Sequence, residues 1–145
     1  DEPAIDAKDI ISLNNKMINS QSIMGTLAAE IRESKDLENE NIVKVITKKN
    51  LNEDEFSEAD TFLRNTSKKD NIYHHIGIYC YSRETLEKFV KLNQTKNEIE
   101  NRLEQLRAIE NNIKINVALV KSYPIGVDTK EDYLALKKIM EYNVK

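Results

Sequence analysis

The chain of 145 residues carries 22 Lys and Arg against 25 Asp and Glu, a net charge of −3, so no basic excess points to a nucleic acid or a membrane surface as partner. That length suits one domain with a real core, taken as residues 1–145, and the apolar runs fall far short of a bilayer span. With an acidic start, "DEPAIDAKDI", and a single cysteine, Cys80, the expectations are no signal peptide, no membrane insertion, no intrachain disulfide and a cytoplasmic location.

In chain order, residues 7–19 put Ile10, Ile11, Met17 and Ile18 at helical spacing behind Asp6 as N-cap, which predicts an amphipathic helix. "SIMGTLAAEI" reads as a buried strand, "RESKDLENE" as a solvated helix or loop, and 41–47, "NIVKVIT", as a second strand. From Lys48 to Asp70 the periodicity is weak and the charge high, so the expectation is a long connection with one short element around Phe56. "YHHIGIYCY" predicts a strand, and 83–92 a helix with Leu86, Phe89 and Val90 on its apolar side. Residues 97–109 predict a helix striped by Ile99, Leu103, Leu106 and Ile109, 113–120 a strand, and about Lys130 to Tyr142 a last helix burying some of Leu134, Leu136, Ile139 and Met140. Strands separated by helices imply crossovers, hence an α/β fold with a mainly parallel or mixed sheet.

Three glycines, Gly25, Gly77 and Gly126, make no phosphate cradle of the P-loop or dinucleotide type. No Ser/His/Asp arrangement is recognisable, and Cys80 lies inside a strand, so covalent catalysis is not expected. Asp128 is more informative. Thr129 and Asp132 already have capping-box spacing, which leaves Asp128 either solvated and idle or aimed at a cation. Asp1 and Asp128 could together hold Mg²⁺, a hard ion that takes oxygen ligands, although one Asp among so many acids is more often a solvated charge. His74 and His75 point to opposite faces of their strand, whereas Tyr79, four residues on, shares the face of His75. Such a pair either packs a sheet or lines a pocket. Glu104 and Gln105 flank the apolar stripe of their helix, as plain helix formers or as partners for sugar hydroxyls.

These residues sit in blocks that resemble the 3-deoxy-manno-octulosonate (Kdo) cytidylyltransferases, or CMP-Kdo synthetases. "HHIGIYCYSRETLEKFV", "NEIENRLEQLRAIENNIKINVALV" and "PIGVDTKEDY" resemble that family's H-[LI]-G-I-Y-x-[YF], L-E-Q-L-R and G-V-D-T-x-E-D blocks, in order and at nearly the family spacing. "DEP" resembles the close of its Q-G-D-E-P motif and "NIVKVIT" its N-x-V-K-V-V strand. The resemblance implies a three-layer fold with a mixed, mainly parallel sheet of the nucleotide-diphospho-sugar transferase type, truncated at its N-terminus. The CTP-binding part with P-A-R-x-x-S-x-R-L-P-G-K-P is absent, so the expectation is that this piece is inactive alone.

The implied reaction joins CTP and Kdo into CMP-Kdo and pyrophosphate for lipopolysaccharide biosynthesis, by in-line attack of the anomeric hydroxyl on the α-phosphorus. By the resemblance, Asp1 and Asp128 hold Mg²⁺ at the reacting centre, His75, Tyr79, Glu104 and Gln105 contact the sugar, and the enzyme is a homodimer. One departure stands out: "FSEADTF" places Glu58 where the family's F-S-R-x-x-I-P has Arg. Reversing a charge beside an anionic sugar predicts a substrate with a compensating cation, such as an amino-substituted Kdo. The competing expectation is a non-catalytic α/β interaction domain or enzyme relic, in which the acidic pairs are only surface charge.

Overall fold

The computed structural model describes residues 5–66, 70–120, 127 and 130–142, excluding the side chains of 131, 132, 139, 140 and 142. Asp6 caps the first helix, α1 (Ala7–Ser20), by accepting from the Lys8 N–H at 2.8 Å. Its buried face is Leu13 and Met17, four residues apart, while Ile10, Ile11 and Ile18 are exposed, contrary to the expected stripe. The reason lies in the strand beneath. A Cβ on Gly25 would stand 2.7 Å from Met17 Sδ and 3.1 Å from Leu13 Cδ1, so the bare glycine is where α1 comes to rest.

The strands are β1 (Met24–Ala29), β2 (Lys44–Thr47), β3 (Phe56–Leu63), β4 (Ile72–Tyr81) and β5 (Asn116–Leu119), paired in a closed ring in the order β1-β4-β2-β3-β5. Only β1 with β5 is parallel among the described pairings; the other four are antiparallel. The sheet is therefore mixed, and the expectation of a mainly parallel one is corrected. The element that changes it is β3, an eight-residue strand where a long connection with a short element was expected. Among the described residues no α-helix intervenes from β2 to β4, and both β2–β3 and β2–β4 pair antiparallel. Ser57, Ala59 and Phe62 face inward from β3 and Glu58 and Asp60 outward, a polar alternation that hides the strand from a hydrophobicity reading.

After β4, Ser82 caps α2 (Arg83–Phe89), of whose three expected apolar residues only Phe89 is buried; Leu86 and Val90 are exposed. The helix expected over 97–109 is two: α3 (Lys96–Asn101), with a Thr95–Glu98 capping box, and α4 (Gln105–Glu110). They part at Arg102, in the left-handed region at φ 53°, and Ile99 is exposed. The break lets Glu98 of α3 and Arg107 of α4 form a buried ion pair. The last helix, α5 (Lys130–Tyr142), follows expectation; Leu136 is buried and Leu134 exposed, while the side chains of Ile139 and Met140 lie outside those described.

Helices pack against the sheet in two separate clusters. Leu13 and Met17 of α1 join Leu27, Ile76, Ala118 and Val120, with half-buried Cys80 and Ile78 against them. Phe89, Leu103 and Leu106 join Met24, Val45, Phe62, Tyr73 and Val117 in the larger cluster. Lys44, fully buried, ties the ring to its loops by donating to the carbonyls of Asn39 at 2.6 Å and Arg64 at 2.7 Å. Among the described residues no helix is long and apolar enough to cross a membrane.

Candidate functional site

β4 carries an aromatic row on the face of the larger cluster. His75 and Tyr79 have ring centroids 5.5 Å apart, Tyr79 and Tyr81 6.0 Å, and Tyr81 and Phe89 5.9 Å, while Phe62 meets His75 edge-on at 5.0 Å. Period-2 geometry puts His75, Tyr79 and Tyr81 on one side, and the irregularity opposite Thr26 and Leu27 spans Gly77 and Ile78 without changing that parity.

Charge enters this row from α4. Glu104 stands at the start of that helix with no capping bond, and its carboxylate accepts from Arg107 Nη2 at 3.2 Å. Its field reaches both phenols. Burial first, then Tyr81 and Glu104, push the Tyr79 hydroxyl well above its ordinary range; burial and then Glu104 raise Tyr81. Both remain protonated donors at neutral pH. Burial, with a smaller contribution from neighbouring His74, takes His75 down to about 3, so its imidazole is neutral. Gln105 is buried beside Glu104, and among the described residues its amide forms no hydrogen bond.

Arg107 holds α4 against this row. Its Nε donates to Glu98 at 2.8 Å and its Nη2 at 2.5 Å, and its guanidinium lies 4.9 Å from the centre of the Phe89 ring. The hydrogen bonds from Arg107 keep Glu98 near 2 against an ordinary 4.5.

Of the residues singled out in the sequence, His75 and Tyr79 are thus brought into ring contact, the charge of Glu104 acts on Tyr79, and Gln105 follows Glu104 at the start of α4. Asp1 and Asp128 lie outside the described residues, as does the proposed cap Thr129. Among the described residues no group of three His, Cys, Asp or Glu side chains could hold a metal ion. Glu58 is placed on the outer side of β3, bonded to Lys48 at 2.6 Å and paired with Lys114 at 3.4 Å, and these lysines lower its pKa. The reversed charge is balanced by the chain itself and does not call for a cationic sugar.

Sequence reasoning missed Thr26, Glu98 and Arg107. Arg107 was in view as the last residue of the L-E-Q-L-R block, but its partner lies across a helix break that periodicity does not reveal. Thr26 is the only polar side chain in β1, a signal of a buried hydroxyl with an assigned task.

Over 142 residues the chain is 42% identical to a 3-deoxy-manno-octulosonate cytidylyltransferase of Bartonella henselae and 40% identical to that of Bartonella tribocorum, covering 97% of this chain and 58% of each relative. The chain thus spans little more than half the length of these curated relatives. A solved structure of CMP:2-keto-3-deoxy-manno-octonic acid synthetase complexed with CTP superposes with a TM-score of 0.84 at 27% identity, over 99% of this chain and 59% of that one. The family model described as cytidylyltransferase matches residues 1–115, and the chain belongs to that family.

Proposed function

We infer that the chain is the sugar-binding part of an enzyme that transfers CMP from CTP to the anomeric hydroxyl of Kdo, releasing pyrophosphate. The observation that carries this reading is the row from His75 to Tyr79 beside Glu104 and Gln105: a neutral imidazole, a protonated phenol, a carboxylate and an uncommitted amide suit a polyhydroxylated ligand. The relatives named for this reaction supply its chemical identity. In the reaction, these four side chains hold the sugar acid so that one hydroxyl faces the nucleotide in line, and the barrier falls through orientation rather than covalent chemistry.

The second substrate, CTP, belongs to the remainder of the enzyme's length, and on this reading the 145-residue piece alone does not turn over. Asp1 and Asp128 are oxygen donors of the kind Mg²⁺ takes, and the likeness of "DEP" and "GVDTKED" to the family's blocks supports them as its holders. Bound there, Mg²⁺ would supply neutralisation of phosphate charge. The homodimer and the cytoplasmic location belong to the same proposal.

The test is pyrophosphate release from CTP and Kdo with Mg²⁺ in the full-length protein. Asp128→Asn is expected to lower kcat about a hundredfold or more while the melting temperature stays near wild type; near-normal turnover would remove the metal assignment. Absence of Kdo-dependent release by the wild type would remove the reading itself.

A further inference from the structure

The Thr26 side chain is fully buried on β1, opposite the irregular part of β4, and its hydroxyl oxygen has three polar neighbours. The carbonyl of Ile78 is at 2.7 Å, that of Ile76 at 3.2 Å, and Nε2 of His75 at 3.0 Å. A hydroxyl has one proton to donate, and a carbonyl can only accept. Given to His75, that proton would leave two buried carbonyl oxygens facing the lone pairs of Thr26 Oγ1, without a donor between them. Donated to Ile78, the nearer carbonyl, it leaves Oγ1 able to accept, and Nε2 must then carry a hydrogen to complete the contact.

We propose that Thr26 is a positioning residue that holds the His75 imidazole as its Nε2–H tautomer, so that Nδ1 is kept as a bare acceptor for a hydroxyl of the bound sugar acid. No described residue hydrogen-bonds Nδ1, and the edge-on contact with Phe62 and the contact with Tyr79 fix the ring plane. The doubly protonated form is disfavoured independently, because burial lowers the ring's pKa to about 3. Acceptor and donor then alternate along the row, Nδ1 of His75 accepting and the Tyr79 phenol donating, a pairing that a sugar hydroxyl can satisfy at both ends. Had Nδ1 carried the proton, the imidazole and the phenol would both be donors. The assignment rests on reading His75 as a sugar contact only for its consequence on binding; the tautomer itself is a property of the free protein.

The experiment therefore has two arms in the full-length protein. Nitrogen NMR of the imidazoles, with the His75 signals identified by their loss in His75→Gln, is expected to show His75 protonated at Nε2 and bare at Nδ1; protonation at Nδ1 in the wild type overturns the proposal, whatever the variants do. Thr26→Val keeps the side chain's shape and removes the hydroxyl. It is expected to release the tautomer preference and raise the KM for Kdo about tenfold with the KM for CTP unchanged, and Thr26→Ser is expected to restore both. An unchanged tautomer in Thr26→Val, or equal loss for both substrates without rescue by Ser, overturns the role of Thr26. If Thr26→Val does not fold, the wild-type spectrum and Thr26→Ser decide. Should the wild type show the Nε2–H form yet never use Kdo, the tautomer assignment stands and the sugar reading falls.

Discussion

Glu98 and Arg107 illustrate how a side chain away from the predicted contacts governs them. With their side chains 5% and 11% exposed, the pair is held by two hydrogen bonds, and Arg107 turns a third contact to Glu104. Glu98→Gln leaves a buried guanidinium without its anion and is expected to cost about 3 kcal/mol of stability in denaturant unfolding. Glu98 is depressed from 4.5 to about 2, so its contribution is complete above the upper value and is lost as pH falls toward the lower. His75, lowered from 6.5 to about 3, acts in the same direction: between those values the unfolded chain binds a proton that the folded chain refuses. Stability is therefore expected to decline on acidification in two overlapping stages, and Glu98→Gln should flatten only the more acidic one in a pH series of melting curves. Tyr79→Phe deletes the phenol but keeps the ring contacts, and is expected to raise the KM for Kdo about tenfold while leaving stability nearly unchanged. Unaltered steady-state kinetics would separate Tyr79 from the site.

At the scale of elements, the seat of α1 on β1 depends on the absence of one side chain. Gly25→Ala puts a methyl 2.7 Å from Met17 Sδ and 3.0 Å from Phe56 Cζ, and overpacking of this kind costs about 1–3 kcal/mol. Met17 is flexible and can retreat where the Phe56 ring cannot, so adding Met17→Ala should recover only part of the loss in thermal unfolding, and full recovery would show that Met17 is the sole obstacle. The break at Arg102 is the other decisive local feature. A non-glycine residue at φ 53° is strained, and Arg102→Gly is expected to raise the unfolding midpoint slightly, by relief of about 1 kcal/mol. Arg64 reinforces the same turn through bonds to the carbonyls of Asn101 at 2.9 Å and Arg102 at 3.1 Å, immediately ahead of Glu104 and Gln105.

For the whole molecule, the closed ring brings together segments that the sequence sets far apart: β1 lies between β4 and β5, which puts Thr26 against His75 across 49 residues. The expected homodimer is testable by light scattering of the full-length protein, with a mass of two chains as the expected result. The sequence by itself determined most elements, because periodicity and capping are local: Asp6 and α1, the strand around "YHHIGIYCY", and the helix from Lys130 are legible in runs of a few residues. It also determined that His75 and Tyr79 share a face, since alternation along a strand is fixed by backbone geometry. Only the tertiary structure decided that β3 exists as a strand, that α3 and α4 are separate, and that the described strand pairings are mostly antiparallel. Each depends on a partner distant in the chain: β2 and β5 for the polar β3, Glu98 across the turn for Arg107, and two lysines for Glu58. Charged residues carry little of the hydrophobic signal from which strands and faces are read, so their placement is settled by hydrogen bonds and ion pairs that form only when the fold closes.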